Sequence, residues 1–95
     1  MTTFTFHHDE GHGWLKVTVA DLHRLDLYLR DFSKYSYADG HTLYLEEDCD
    51  AYTFIHKYEE VMGHKIQIRD TYCKRSRIRN MDRLPAPIFD GTVTF

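Results

Sequence analysis

Two short runs in which every second residue is apolar, joined by a glycine-bearing turn, constrain this chain more than any other feature. Thr2 to His7 sets Phe4 and Phe6 on one side and Thr3, Thr5 and His7 on the other, and Trp14 to Val19 sets Leu15, Val17 and Val19 opposite Lys16 and Thr18. Alternation with a period of two marks a half-buried strand, and Asp9-Glu10-Gly11-His12-Gly13 between the runs consists largely of turn formers, so a β-hairpin is expected. A hairpin with one apolar face is not stable alone in water and needs helices or further strands over it. A chain of 95 residues has room for one core, so residues 1–95 are expected to form a single domain.

The covering elements are legible further along. Thr18 stands three residues before Asp21, close to a capping box but with a shorter acid. Leu22, Leu25, Leu29 and Phe32 then recur at helical spacing, predicting a helix from Ala20 to Tyr28 or Leu29. Ser33 to Gly40 reads as a polar connection ending in the turn signal Asp39-Gly40, and in Thr42 to Glu46 the side chains of Leu43 and Leu45 share a face, predicting a third strand. Asp48 or Asp50 is placed to cap a second helix, in which Ala51, Phe54, Ile55, Tyr58, Val61 and Met62 form one apolar stripe until Gly63 ends it. Lys65 to Arg69 alternates again with Ile66 and Ile68 inward, a fourth strand reaching toward Tyr72. The expected architecture is α+β in the order ββαβαβ, a small antiparallel sheet of about four strands with two helices packed on one face. Residues 74–95 are less regular: Leu84-Pro85-Ala86-Pro87 favours an extended segment, and Thr92 to Phe95 offers an edge strand.

Net charge of -3 argues against nonspecific nucleic-acid binding as the main activity, yet the charge is unevenly spread. Seven bases and thirteen acids precede Lys74, whereas Lys74, Arg75, Arg77, Arg79 and Arg83 face only Asp82 and Asp90 in the remainder. The plain reading is a solvated face with a basic segment folded back on an acidic body, and the functional one is a two-signed docking surface. No apolar run is long enough to cross a bilayer, and the first residues lack the pattern of a signal peptide, so a cytoplasmic chain is expected. Cys49 and Cys73 are too far apart for a Cys-x-x-Cys motif and are expected as free thiols, one at a helix start and one beside a basic run, places that can lower a thiol pKa.

His7, His8, Asp9, Glu10 and His12 place five potential metal ligands within six residues. Neighbouring residues of a strand point to opposite faces, however, and no helix lines these ligands up on one face, so a polar turn is the expected role and no metal or other cofactor is assigned. Ser33, Ser36 and Ser76 lie in no nucleophile turn, no glycine-rich phosphate loop occurs, and the pairs Glu46/Glu47 and Glu59/Glu60 splay apart on regular elements; no enzyme is expected. Aromatic residues make up 15% of the chain. Phe4, Phe6, Phe32, Phe54 and Tyr58 fall at core-facing positions, while Tyr35, Tyr37 and Tyr44 are expected on the polar side near the acids from Glu46 to Asp50, a residue mix typical of protein interfaces.

Phe6 to Val17, Tyr35-Ser36-Tyr37, Tyr44 to Ala51 (YLEEDCDA) and Ser76 to Asn80 together resemble a family of small uncharacterised proteins carried by phages, plasmids and other mobile elements of bacteria. The resemblance spans about residues 4 to 80 and is carried chiefly by Gly11-His12-Gly13-Trp14-Leu15 and the YLEEDCDA string. It implies a context and no catalytic residues: accessory proteins of mobile elements often disable a host defence complex, anti-CRISPR proteins being the best-known kind. Within that context the expected function is a non-enzymatic inhibitor whose carboxylates stand where a CRISPR effector's Arg and Lys groups would meet nucleic-acid phosphates. Its expected contact residues are Tyr37, Tyr44, Glu46, Glu47, Asp48 and Asp50. Two alternatives stand beside it: a small nucleic-acid-binding regulator using Lys74, Arg75, Arg77 and Arg79, and a metal-binding or catalytic accessory protein.

Overall fold

A computed structural model describes residues 2–74 and 77–83, apart from the side chains of residues 79, 80 and 82. The fold is α+β, as expected. Its elements are β1 (Thr3–His8), β2 (Gly13–Thr18), α1 (Val19–Arg24), β3 (Tyr37–Asp39), β4 (Thr42–Glu46), α2 (Asp50–Met62), β5 (Gln67–Tyr72) and β6 (Asp82–Arg83), with single 3-10 turns at Leu29–Asp31 and Arg77–Asn80. Among the described residues the sheet has six strands in the order β5-β1-β2-β4-β3-β6. The sheet is mixed rather than purely antiparallel, because β5 runs parallel to β1 with Phe4 beside Ile68 and Phe6 beside Asp70. Helix α2 is the reason: its 13 residues carry the chain from β4 across the sheet to the free edge of β1, and a crossover of that length returns a strand in the direction it left.

Local chemistry explains where the helices start and stop. Thr18 Oγ1 accepts from the Asp21 amide at 3.1 Å while the Thr18 amide donates to Asp21 Oδ2 at 2.8 Å, completing the capping box before α1. The helix is shorter than its apolar spacing predicts. The Leu27 amide reaches back to the Leu22 carbonyl at 2.9 Å and the Asp26 amide to that of His23 at 3.0 Å, with Asp26 at φ 58°. This is a Schellman ending in which Asp occupies the left-handed position that glycine usually fills, and Leu22 and Leu27 close it with a buried apolar contact. Helix α2 ends as expected at Gly63, with φ 77°. Its N-cap is Cys49 with no side-chain hydrogen bond, not Asp48 or Asp50.

Both helices cover one face of the sheet. There Phe4, Leu15, Val17, Leu43 and Leu45 pack against Leu22 of α1, Leu25 at its C-cap, and Ala51, Phe54 and Tyr58 of α2. Phe4 meets Phe54 and Tyr58 edge-on, each at 5.4 Å between ring centres. Each buried aromatic or aliphatic side chain here contributes about 1.5–3 kcal/mol. Phe6 and Phe32 are only partly buried at the margin, and Ile68, on the exposed strand β5, is nearer the surface than its alternation predicts.

The opposite face is not the solvated surface that alternation predicts. Trp14, Tyr37 and Tyr44 form a second buried cluster beneath Ile78, with Met81 packed against it. The chain that covers them comes from the 3-10 turn at Arg77–Asn80, and β6 pairs with β3, itself absent from the sequence expectation. The predicted edge strand at Thr92 to Phe95 and the extended segment from Leu84 to Pro87 lie outside the described residues.

At Gly13 a methyl group would stand 2.4 Å from Cζ of Phe6, so the β2 backbone depends on the missing side chain to let that ring close the hairpin. Gly13→Ala is expected to destabilise the fold by about 1–3 kcal/mol in urea denaturation. Adding Phe6→Leu, which removes the clashing ring atoms, should make the Ala substitution cost less than it does in the parent.

Candidate functional site

The chain turns sharply where β4 ends and α2 begins, and one carboxylate holds that corner. Asp50 is 2% exposed, and its Oδ2 accepts from the Ser33 amide (2.9 Å), the Ser33 hydroxyl (2.8 Å) and the Ser36 hydroxyl (2.5 Å). Ser36, also buried, accepts in turn from the Glu46 amide at 2.9 Å. The first turn of α2 adds its dipole, which favours negative charge at that end. This network draws residues 33–36 against the end of β4.

Beside the corner lies a cavity of 430 Å³ lined by His12, Trp14, Ser33, Tyr35, Tyr37, Glu46, Asp48, Cys49 and Arg83. Trp14 and Tyr37 meet at 6.2 Å with their planes 75° apart, and the Arg83 guanidinium sits 5.2 Å over the Tyr37 ring. A shallower cleft of 280 Å³ adjoins the hairpin turn, lined by Phe6, His8, Asp9, Glu10, His12, Glu47 and Asp70. Acidic groups therefore line both hollows.

The six residues expected to contact a partner do not form one exposed patch. Glu47 and Asp48 are exposed and Glu46 half-buried, but Asp50 is taken up by the serine network, and Tyr37 (8% exposed) and Tyr44 (6%) are buried. The tyrosines are inside because the 3-10 turn caps the second face, which alternation within β4 does not reveal. Glu46 Oε2 accepts from the Asp48 amide at 3.0 Å. Burial pushes the Glu46 carboxyl pKa up, the Asp48 amide bond opposes this, and the charges of Asp48 and Asp50 add to it. Among the described residues the ion pairs are Arg24–Asp21, Lys57–Glu60 and Lys65–Glu59, so Glu47 and Asp48 keep their charges unpaired there.

The Cys49 thiol does not become the activated group that a helix start suggests. The Asp50 charge raises its pKa, with burial and then Glu46 and Asp48 acting in the same direction, so negative potential outweighs the helix terminus. Cys73 is exposed on the far edge. In the hairpin turn Asp9 is buried and its Oδ1 accepts from the amides of Gly11 and His12, both at 3.0 Å, so this acid serves the turn itself. The histidines separate: His7 contacts Tyr44 on one face, His8 contacts Tyr72 on the other, and His12 contacts Trp14. Among the described residues no three His, Cys, Asp or Glu side chains converge as a metal site would need.

Of the alternative basic set, Lys74 and Arg77 are exposed, whereas Arg75 and the side chain of Arg79 lie outside the described residues. Sequence reading missed two further cations that belong with Arg77. Lys16 and Arg69 flank Thr5 in register, and burial together with Lys16, Arg77 and Arg69 lowers the His7 pKa. Strand pairing brings Lys16 and Arg69 together, and the 3-10 turn at Arg77–Asn80 adds Arg77 near His7. Compared with protein-family models, with curated proteins and with solved structures, the chain matches none.

Asp50→Ala strips the acceptor from three donors and is expected to cost about 3 kcal/mol in urea denaturation, whereas Asp48→Asn should stay within about 0.5 kcal/mol of the parent. The lowered His7 pKa has a definite sign. The unfolded chain takes up that proton at a higher pH than the folded one, so stability falls as pH drops through the ordinary value of 6.5. Between about pH 7.5 and 5.5, His7→Asn should lose less stability than the parent.

Proposed function

We propose that this protein is a non-enzymatic inhibitor that occupies a basic binding surface of a host defence complex, a CRISPR effector being the kind of target the sequence resemblance implies. The observation carrying this reading is the β4–α2 corner, where Glu47 and Asp48 are exposed and unpaired among the described residues beside half-buried Glu46. A guide-loaded effector presents Arg and Lys along its nucleic-acid path, and carboxylates held on a rigid corner compete with phosphates for those donors. Asp50 contributes by setting the corner's shape, and Tyr37 and Tyr44 by forming the floor beneath it.

A second reading is favoured by one arrangement. Lys16, Arg69 and Arg77 gather near His7 on the sheet face away from the helices, and such a grouping suits phosphates, as a nucleic-acid regulator would use it. The two readings put contact on different surfaces and separate cleanly.

Binding to a panel of purified guide-loaded CRISPR effectors tests the first. One effector should bind and lose access to target DNA, and the double reversal Glu47→Lys/Asp48→Lys should weaken that binding at least about tenfold. Binding unchanged by the reversal would remove the acidic contact, and no effector bound would remove the reading. A duplex mobility shift at moderate salt that Arg69→Ala/Arg77→Ala abolishes would replace it with the second.

A further inference from the structure

We infer that the 430 Å³ cavity beside the β4–α2 corner is a receptor for an arginine side chain of a partner protein, with exposed Tyr35 as its aromatic wall, buried Trp14 and Tyr37 as its floor, and Glu46 and Asp48 as its anionic contacts. The inference rests on the inhibitor reading and names the chemistry of its central contact.

Three features select a guanidinium. The volume lies in the range of small-ligand sites and suits one long side chain with its polar head. Aromatic rings and carboxylates are the two kinds of group that attract a planar, delocalised cation, the rings through their faces and the carboxylates through paired hydrogen bonds. The rings already behave this way toward the chain's own cations: Arg83 lies 5.2 Å over Tyr37, and Lys34 lies 5.9 Å from the Tyr35 ring centre.

The electrostatics agree. Glu46 and Asp48 outnumber Arg83 among the charged groups of the lining. Burial is the chief cause of the raised Glu46 pKa and the Asp50 charge that of the raised Cys49 pKa, and the charges of Asp48 and Asp50 act upward on both groups. An entering cation would offset those charges and return the Glu46 pKa toward its ordinary value. A neutral side chain of equal length would gain only the ring contacts. Arginine anchors are also among the residues that carry the most energy at protein interfaces, where they fill desolvated pockets.

The lone tryptophan of the chain lines the cavity, so titration can be followed at one site. The full chain would be titrated with N-acetyl-arginine N-methylamide and, separately, with its neutral citrulline counterpart, reading Trp14 fluorescence and amide NMR shifts. Expected are saturable changes at Trp14, Tyr35 and Asp48 with an affinity on the order of millimolar for the arginine compound, and at least about fivefold weaker binding of citrulline. Glu46→Gln/Asp48→Asn should abolish the preference, whereas Glu60→Lys, on α2 and outside this cavity, should leave Trp14 responding to the arginine compound. Equal response to both compounds, or no saturation, overturns the inference even if an effector is still inhibited. Selective arginine binding without any effector partner would uphold the cavity and count against the inhibitor reading.

Discussion

A single buried oxygen, Oδ2 of Asp50, determines how the β4–α2 end of this molecule is built. It gathers three donors from residues 33–36 onto the first residue of α2, and through Ser36 the same network holds the Glu46 amide at the end of β4. Removing a carboxylate from water is costly unless hydrogen bonds replace its hydration, and here two hydroxyls, one amide and a helix terminus do so. The result is a corner at which Glu47 and Asp48 are exposed while Glu46 is half-buried. Glu47 is anchored by its backbone, the amide donating to the Gly13 carbonyl at 3.0 Å, so the hairpin turn and the corner form one continuous end of the sheet.

Charge is sorted by this construction. Acids collect where β4 meets α2 and along the hairpin turn, while Lys16, Arg69 and Arg77 collect on the sheet face away from the helices. Between the two lies the aromatic cluster of Trp14, Tyr37 and Tyr44, sealed by Ile78. The cluster packs a buried aromatic floor beside the acidic end.

Much of the fold can be read from short-range pattern, because alternation, a capping box and a terminal glycine each depend on residues within a few positions of one another. Thr18 with Asp21 and the stop at Gly63 belong to this class. The end of α1 does not, since it rests on Asp26 adopting a conformation that the sequence marks with no glycine. Strand β5 was legible as a strand but not as a parallel neighbour of β1, because register across a crossover is decided by tertiary packing. The same holds for the site. Four acids in five residues look alike in sequence, and only the serines seventeen and fourteen positions upstream of Asp50 separate the buried one from the exposed ones. The polar neighbours of Tyr37 and Tyr44 in sequence suggest a wet face, and a 3-10 turn from the far end of the described chain makes that face a second core.

A fixed Asp50 network in the native structure is tested at the donors themselves by amide hydrogen exchange. The Ser33 and Glu46 amides, which donate to Asp50 Oδ2 and Ser36 Oγ, should exchange about as slowly as the ladder amides of β4. Exchange of those two at the rate of an unstructured peptide, with β4 still protected, would contradict the account.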